Sequence, residues 1–306
     1  MPTEYNSFFS LNLSGSCATV GAFDGIHLGH RALLTLFLEH AHRQSLPAVM
    51  VTFDPLPSVY FQRNGNQKNI ILPGERAELV TPLGIDYLIT LKFDQSLATE
   101  SPGEFLSQMK EALNMESLWV GADFSLGKDR SGTIEVLRGL AQNFSFDLQV
   151  VPQLEMDGDV VSSTRIRSLL TSGKLHEANK LLGYPYFFEN TIIHGEARGR
   201  KLGFPTINMR FPEDKIVVSH GVYAVRITIN GIVYSAVTNV GVRPTFQDDN
   251  ILVVESYILD NHSDLYGESA KVEFVEYLRP EIKFQTAADL IAQIQNDVED
   301  ARRILK

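Results

Sequence analysis

Up to about residue 183, short apolar runs alternate with stretches whose apolar positions recur every three or four residues. "SCATVG" (16–21), "AVMVTF" (48–53), "DYLITL" (86–91), "SLWVG" (117–121) and "DLQVV" (147–151) carry apolar residues with no polar alternation, the mark of strands buried on both faces. Between them "HRALLTLFLEHAHRQ" (30–44), "SPGEFLSQMKEAL" (101–113), "GTIEVLRGLAQN" (132–143) and "SSTRIRSLLTSG" (162–173) predict amphipathic helices. Ser101 is placed to cap the second of these, with Pro102 at its first position, and the fourth has Ser caps and a Gly stop. Strands alternating with helices predict a doubly wound parallel sheet, in which ligands bind outside the carboxyl ends of strands.

After "LHEANKLLGYPY" (175–186) the period changes. "TIIHG" (191–195), "GVYAVRITIN" (221–230), "IVYSAVTNVG" (232–241), "LVVESYILD" (252–260) and "KVEFVEYL" (271–278) read as strands separated by turn signals such as Asn230-Gly231. No helix intervenes until "TAADLIAQIQNDVEDARRILK" (286–306), with Thr286 as its cap. Successive strands without crossovers predict a small antiparallel β-barrel, closed to hide its edges, with a terminal helix. The fold class is therefore α/β plus β, with domains at 1–184 and 185–306. The boundary falls near Tyr184-Pro185, and the chain shows neither an internal repeat nor a low-complexity tract.

Composition changes this picture little. The 306 residues are 44% hydrophobic and 21% charged, ordinary for a globular protein. The opening "MPTEYNSFFSLNLSGS" has no secretory pattern, and no apolar run is long enough to span a membrane. The lone Cys17 fits a reducing compartment, so a cytoplasmic location is expected. The net charge of −10 is spread over both halves, so neither nucleic acid nor a membrane is an expected partner. An acidic chain binds anions with local devices: helix N-termini, glycine nests, placed Arg residues and a divalent metal.

"GAFDGIHLGH" (21–30) has that form, at the end of the first strand. Gly21, Gly25 and Gly29 let backbone approach a ligand, with Phe23 and Asp24 among them. His27 and His30 lie at the start of the next helix, where free N–H groups attract anions. Imidazoles there can stabilise charge at a phosphorus under in-line attack without forming a covalent bond. The spacing is not that of a dinucleotide fingerprint, and no Cys or His cluster suggests zinc. Phe53, Pro55 and Pro57 make a rigid apolar loop after a strand, suited to an aromatic ring, although a plain turn competes for Pro57. Asp123 and Phe124 follow another strand at the same sheet edge, where the Asp could orient a ring or hydroxyl or merely cap a loop. Ser162, Ser163 and Thr164 open a helix and can hold phosphates or simply cap it, and Arg167 adds a forked cation.

"GAFDGIHLGHRALL" resembles the HxGH nucleotidyltransferase signature, a Rossmann-like fold, and its "FDG" is similar to the bacterial FAD synthetase branch. "TFDPLP", "GADFSLGKDRSG" and "VSSTRIRSLL" resemble three further motifs of that family in order. The match covers residues 15 to 183 and implies adenylylation of FMN, with ATP phosphates held at Gly21, Phe23, Asp24, Gly29 and the Ser162–Thr164 stretch. Ala122 and Leu126 stand where the family often has an acidic residue and an aromatic.

"GEARGRKLGFPTINM" (195–209) is a second glycine-rich, basic segment. Gly195, Gly199, Arg200 and Gly203 can cradle phosphate, and Thr206 and Asn208 offer neutral oxygens two residues apart, suited to Mg2+ when phosphates and water complete its shell. A hairpin with a basic tip explains the same residues equally well. With "NVGVRPTF", "ESYILD" and "VEFVEYLRPEIKF", residues 186 to 300 resemble the riboflavin kinase domain. That resemblance implies metal and phosphate contacts at Thr206 and Asn208, and Glu255 as the base for the riboflavin hydroxyl. Alternation along its strand leaves open that Glu255 simply faces solvent; Arg243 could contact flavin or phosphate or form a loop salt bridge, and Tyr257 and Asn261 are unusual for the family. Both halves together resemble the bifunctional bacterial riboflavin kinase/FAD synthetase family. This implies ATP and Mg2+, and riboflavin, FMN and FAD as substrates and products. The alternatives are that only one half is active, the other serving as a flavin-binding or regulatory module, or that the nucleotidyltransferase uses another acceptor.

Overall fold

The computed structural model describes residues 2–61, 67–195, 199, 202–243, 251–260 and 265–306, without the side chains of Arg243 and Ile251. It divides into two compact units, residues 1–163 and 164–306.

The first unit is built on β1 (Thr3–Tyr5), β2 (Ser16–Val20), β3 (Ala48–Asp54), β4 (Tyr87–Lys92), β5 (Met115–Gly121) and β6 (Asp147–Val151). They form one sheet of order β1-β4-β3-β2-β5-β6, parallel throughout. Every residue of β2 is buried, as expected of a central strand covered on both faces. Helix α1 (Leu28–Gln44) buries Leu33, Leu34, Phe37, Leu38 and Ala41, the stripe the heptad-like spacing predicts. Three further helices of this unit are α2 (Pro57–Tyr60), α3 (Pro73–Val80) and α4 (Gln95–Thr99). Helix α5 (Pro102–Leu113) starts with a capping box between Ser101 and Glu104, and α6 (Ile134–Phe144) follows β5. The chain runs from β2 to one side and returns to the other at β5, so the gap between their carboxyl ends is the topological switch point. Beyond β6, a hairpin of β7 (Glu155–Met156) and β8 (Asp159–Val160) turns on Asp157 and Gly158, with φ of 57° and 83°.

The second unit opens with α7 (Ser163–Thr171), whose first residue closes the first unit, and α8 (Leu175–Leu182). Asn179 on α8 donates to the Phe274 carbonyl at 2.9 Å and accepts from the Tyr186 amide at 2.8 Å. Next come β9 (Tyr186–Thr191), β10 (Ile207–Arg210), β11 (Gly221–Ile229), β12 (Ile232–Arg243), β13 (Ile251–Ile258) and β14 (Ser269–Arg279). Their order is β10-β13-β12-β11-β14-β9, antiparallel throughout. The expected closed barrel is a curled half-barrel. Its edges meet through a bridge between Ile193 and Asn208, a 2.8 Å N–H···O bond, rather than a full ladder, because β10 is only four residues long. Asn230 and Gly231 take φ of 49° and 78° and join β11 to β12, the paired left-handed conformation that favours Asn-Gly.

Helix α9 (Ala287–Ile304) is capped by Thr286, which accepts from the Asp289 amide at 3.1 Å. It packs Ala301 and Val298 against Val222, Ala224 and Val237 of the sheet. It is also tied to β14 by an ion pair. Arg279 Nη2 and Nε donate to Asp297 Oδ2 and Oδ1 at 2.7 and 2.9 Å, and Gln293 donates to the same carboxylate at 2.9 Å. The two side chains are only 15% and 5% exposed, so losing one partner strands a buried charge. Asp297→Ala is expected to cost about 3–5 kcal/mol. The exposed Arg302–Asp260 pair at 2.6 Å is screened by water and contributes far less, so Asp260→Ala is the matched control. Denaturant midpoints of the two variants check the contrast.

Candidate active sites

The turn after β2 is held from three sides. The Gly21 amide donates to the Val51 carbonyl at 3.1 Å, and Thr52 Oγ1 to the Ala22 carbonyl at 3.2 Å, which tie it to β3. The Asp24 carboxylate accepts from the amides of Ile70, at 2.9 Å, and Ile71, at 3.1 Å, which ties it to the loop before α3. Ser163 Oγ donates to the Asp24 carbonyl at 2.8 Å, which joins the "FDG" and "SST" motifs within the first unit. Phe23 and Ile26 hold left-handed φ of 46° and 35°, an unfavourable conformation that these bonds over-determine.

This turn delivers His27 as the N-cap of α1. His27 Nδ1 accepts from the His30 amide at 3.3 Å, so in the neutral ring its proton sits on Nε2. The two imidazoles stack with centroids 3.6 Å apart and planes 16° apart. Phe23 walls the pair, its ring 5.3 Å from that of His30 and nearly edge-on. A Cβ on Gly29 would sit 3.1 Å from the His27 ring and 3.2 Å from the Val161 carbonyl, so the glycine makes room for the imidazole to fold back. His30 is half-buried, yet its Nδ1 is fully covered and has no hydrogen-bond partner among the described residues. Burial, then the neighbouring His27 and Arg76, push His30 well below the usual imidazole value. The pair therefore stands at the start of a helix, on the switch point of the sheet, with His27 4% exposed and the half-buried His30 held neutral by its burial.

Several other predicted site residues are scaffold. Asp24 and Phe23 are directed into the protein, 2% and 4% exposed. Phe53 is buried on β3, with its ring 5.7 Å from Phe93 and 6.4 Å from Phe105 in the core. Pro55 is exposed, and Pro57 starts α2. The more open aromatic surface here is one the sequence did not single out: Tyr60 and Phe61, each packed edge-on to Phe93 at 5.2 and 5.7 Å, with Phe61 largely exposed. Asp123 is exposed and Phe124 half-buried just after β5. Gly121 leaves 3.1 Å between its would-be Cβ and Asp123 Oδ1. Ser162 and Ser163 are half-buried at the end of the first unit, whereas Thr164 is exposed and Arg167 half-buried on α7 in the second.

In the second unit the register sets two of the predicted residues, Asn208 and Glu255, side by side. Asn208 on β10 and Asn239 on β12 both stand directly opposite Glu255 on β13, so the three share one face of the sheet. The opposite face carries the core, with Val254 and Ile258 buried and Thr238 and Ser256 hydrogen-bonded at 2.7 Å. Glu255 is half-buried on the face away from that core. Gly195 lies so close to the Asn208 amide that a Cβ would collide with it. The Gly199 carbonyl accepts from the amides of Leu202 at 3.0 Å and Phe204 at 2.9 Å, which closes a tight turn before Thr206. Gly203, with φ of 89°, adopts a backbone that favours glycine. Tyr257 packs edge-on to Phe204 with ring centroids 5.3 Å apart. Asn239 Nδ2 donates to Glu281 at 3.2 Å. Arg200, Asn261 and the side chain of Arg243 lie outside the described residues.

The neutral oxygens of Thr206 and Asn208 are of the kind a Mg2+ ion accepts, provided that substrate phosphates and water supplied its other ligands. Among the described residues no group of three or more His, Cys, Asp or Glu side chains stands ready to hold a metal unaided.

An α/β unit with two stacked imidazoles at a helix start on its switch point, followed by an antiparallel β unit in which Asn208 stands opposite Glu255, has the form of a two-site nucleotide-dependent transferase. The model of the FAD synthetase family matches residues 10–165 and that of the riboflavin kinase family residues 182–305. The chain is 39% identical to the bifunctional riboflavin kinase/FMN adenylyltransferase of Listeria monocytogenes, over 92% of this chain and 90% of that one. It is 35% identical to the protein of the same name from Bacillus subtilis, over 94% and 92%. A crystal structure from Streptococcus pneumoniae, described as a macrolide-efflux protein, superposes with a TM-score of 0.90 at 30% identity over 98% of each chain. Among the described residues of this chain, no helix is long and apolar enough to cross a membrane. The chain belongs to the bifunctional riboflavin kinase/FMN adenylyltransferase family.

Proposed function

We propose that the chain converts riboflavin to FMN and FMN to FAD at two separate sites. Adenylylation is assigned to residues 1–184 and phosphorylation to residues 185–306. Helices α7 and α8 belong to the first by their motif, although they pack with the second unit. The observation that carries the reading is the stacked His27–His30 pair at the sheet's switch point. Two stacked imidazoles at a helix start suit the phosphates of ATP. The FMN phosphate is already ionised, so its attack on the α-phosphorus, with release of pyrophosphate, needs charge stabilisation rather than a strong base. Ser162, Ser163, Thr164 and Arg167 are assigned to the β- and γ-phosphates. The loop of Pro55 and Pro57, with Tyr60, Phe61, Asp123 and Phe124, is assigned to the flavin ring.

In the kinase half the riboflavin 5′-hydroxyl attacks the γ-phosphorus of ATP and ADP leaves. A primary alcohol must lose its proton, and Glu255 is the carboxylate on the Asn208 face of the sheet that takes it. Gly195, Gly199, Arg200 and Gly203 frame the phosphates, and Arg243 is assigned to the flavin side. Mg2+ held by Thr206 and Asn208 would neutralise phosphate charge. The buried Cys17 fits a reducing, cytoplasmic setting.

Incubation of the protein with riboflavin, ATP and Mg2+ is expected to yield FMN first and FAD later, resolved chromatographically. Chelation by EDTA is expected to stop both steps. Absence of both products with Mg2+ present overturns the reading.

A further inference from the structure

Arg279, Val222, Asn239, Glu255 and Asn208 form one lateral row across β14, β11, β12, β13 and β10, each directly opposite the next. Opposed residues of an antiparallel pair share a face, so the row crosses the face that carries the proposed base. A further carboxylate reaches this row from outside the sheet. Glu281, in the segment after β14, accepts from Asn239 Nδ2 at 3.2 Å. It lies against β12 at Gly241, where a Cβ would collide with its carboxylate. The segment that brings it there is anchored. Pro280 restricts the turn off β14, and its carbonyl accepts from Arg279 Nη1 at 3.0 Å. The same guanidinium lies over the Phe284 ring, 5.9 Å from its centroid, and Asp297 clamps it from α9. The Arg279–Asp297 pair thereby steadies the stretch that carries Glu281.

Glu281 is exposed, so its bond to Asn239 adds little to stability. Its effect is on direction. An Asn amide has donors at one end and an acceptor at the other, and a carboxylate only accepts. With Nδ2 committed to Glu281, Asn239 turns its carbonyl oxygen away from that carboxylate, on the face shared with Glu255. Reversed, the amide would offer N–H groups where a substrate hydroxyl must donate. Riboflavin carries, beside the primary hydroxyl that reacts, secondary hydroxyls that need acceptors. We propose that Asn239 is a specificity-determining residue of the kinase site, its Oδ1 accepting from a secondary ribityl hydroxyl, and that Glu281 is the positioning residue that fixes the amide in this sense. This rests on the riboflavin kinase reading above.

The test uses the full chain carrying Asn239→Ala, Glu281→Ala, Glu281→Gln or Gly241→Ala. Phosphorylation kinetics are measured with riboflavin and with a flavin bearing a hydroxypentyl side chain, which keeps the primary hydroxyl and lacks the secondary ones. Binding of both flavins is followed by fluorescence quenching, beside the FMN-to-FAD rate and thermal unfolding. Asn239→Ala and Glu281→Ala are each expected to raise KM for riboflavin about five- to tenfold, the worth of one hydrogen bond, with a smaller change in kcat. Both should leave KM for the hydroxypentyl flavin, the FMN-to-FAD rate and the melting temperature unchanged. Gly241→Ala removes no functional group but displaces the flexible carboxylate, so it is expected to reproduce Glu281→Ala. Glu281→Gln, whose amide oxygen still accepts, is expected to restore most of the affinity. An unaltered KM for riboflavin in Asn239→Ala or in Glu281→Ala overturns the proposal. Equal losses with both flavins also overturn it, since that is the mark of a structural role. If Gly241→Ala does not fold, the contrast between the two Glu281 variants decides. Failure of the unsubstituted protein to make FMN refutes the kinase reading instead, while the binding of the two flavins still judges Asn239 and Glu281.

Discussion

Glu255→Gln should abolish FMN formation from riboflavin and leave the conversion of supplied FMN to FAD intact. Glutamine keeps the shape and burial of the side chain on β13, so the pairings to Asn208 and Asn239 and the core contacts of Val254 and Ile258 survive. What it removes is a group able to accept the hydroxyl proton. Loss of a positioned general base lowers the rate by about 10²–10⁴-fold. A carboxylate that merely occupied the outer face of the sheet would be replaced without consequence, since surface substitutions away from special features shift stability by only about 0.5 kcal/mol. Product analysis over time, with riboflavin or FMN as the starting flavin, separates the two cases, and kinase turnover near that of the unsubstituted protein refutes the base. The substitution reports cleanly because Asn208, the metal ligand proposed opposite Glu255, keeps its amide.

The periodic elements were legible in the sequence because a single physical demand shaped each of them. "DLQVV" spans the observed β6, and Ser101, Pro102 and Thr286 occupy the predicted helix starts. Strand β1, of three residues, and β10, of four, are too short to show a period. Helix α3 hid for a different reason. It buries Glu75 and Arg76 along with Ala77 and Val80, so its charged residues stand where a hydrophobic pattern would need apolar ones. The site motifs named the right neighbourhoods, because glycines, imidazoles and hydroxyls at a strand end have few other uses. They did not give side-chain direction. Six of the seven residues of β3 are buried, so alternation could not show that Phe53 turns into the core and that Phe61 stays open. In the second unit, the facing of Glu255 came from the register with Asn208, a contact between residues 47 positions apart that no local pattern encodes.

His30→Ala is expected to remove FAD formation while FMN continues to accumulate from riboflavin. The alanine keeps the helical backbone, so the His30 amide still donates to His27 Nδ1 and the cap of α1 is preserved. The lost group is one donor of a stacked pair, together with the edge contact to Phe23. Removal of one preorganised donor from a site of developing charge costs about 10²–10³ in rate. Stability should hardly suffer, because the imidazole's covered Nδ1 makes no hydrogen bond among the described residues. Removing it also removes a ring kept neutral at a cost. An unfolded histidine takes up a proton below pH 6.5, while the folded His30 resists doing so, and this favours unfolding as the pH falls from 6.5. The alanine variant should therefore lose less stability between pH 6.5 and 5 than the unsubstituted protein. Denaturant midpoints at the two pH values, measured beside FMN-to-FAD rates, check both halves. An undiminished rate refutes the phosphate-stabilising role, and an acid response no weaker than that of the unsubstituted protein refutes the neutral imidazole on which it depends.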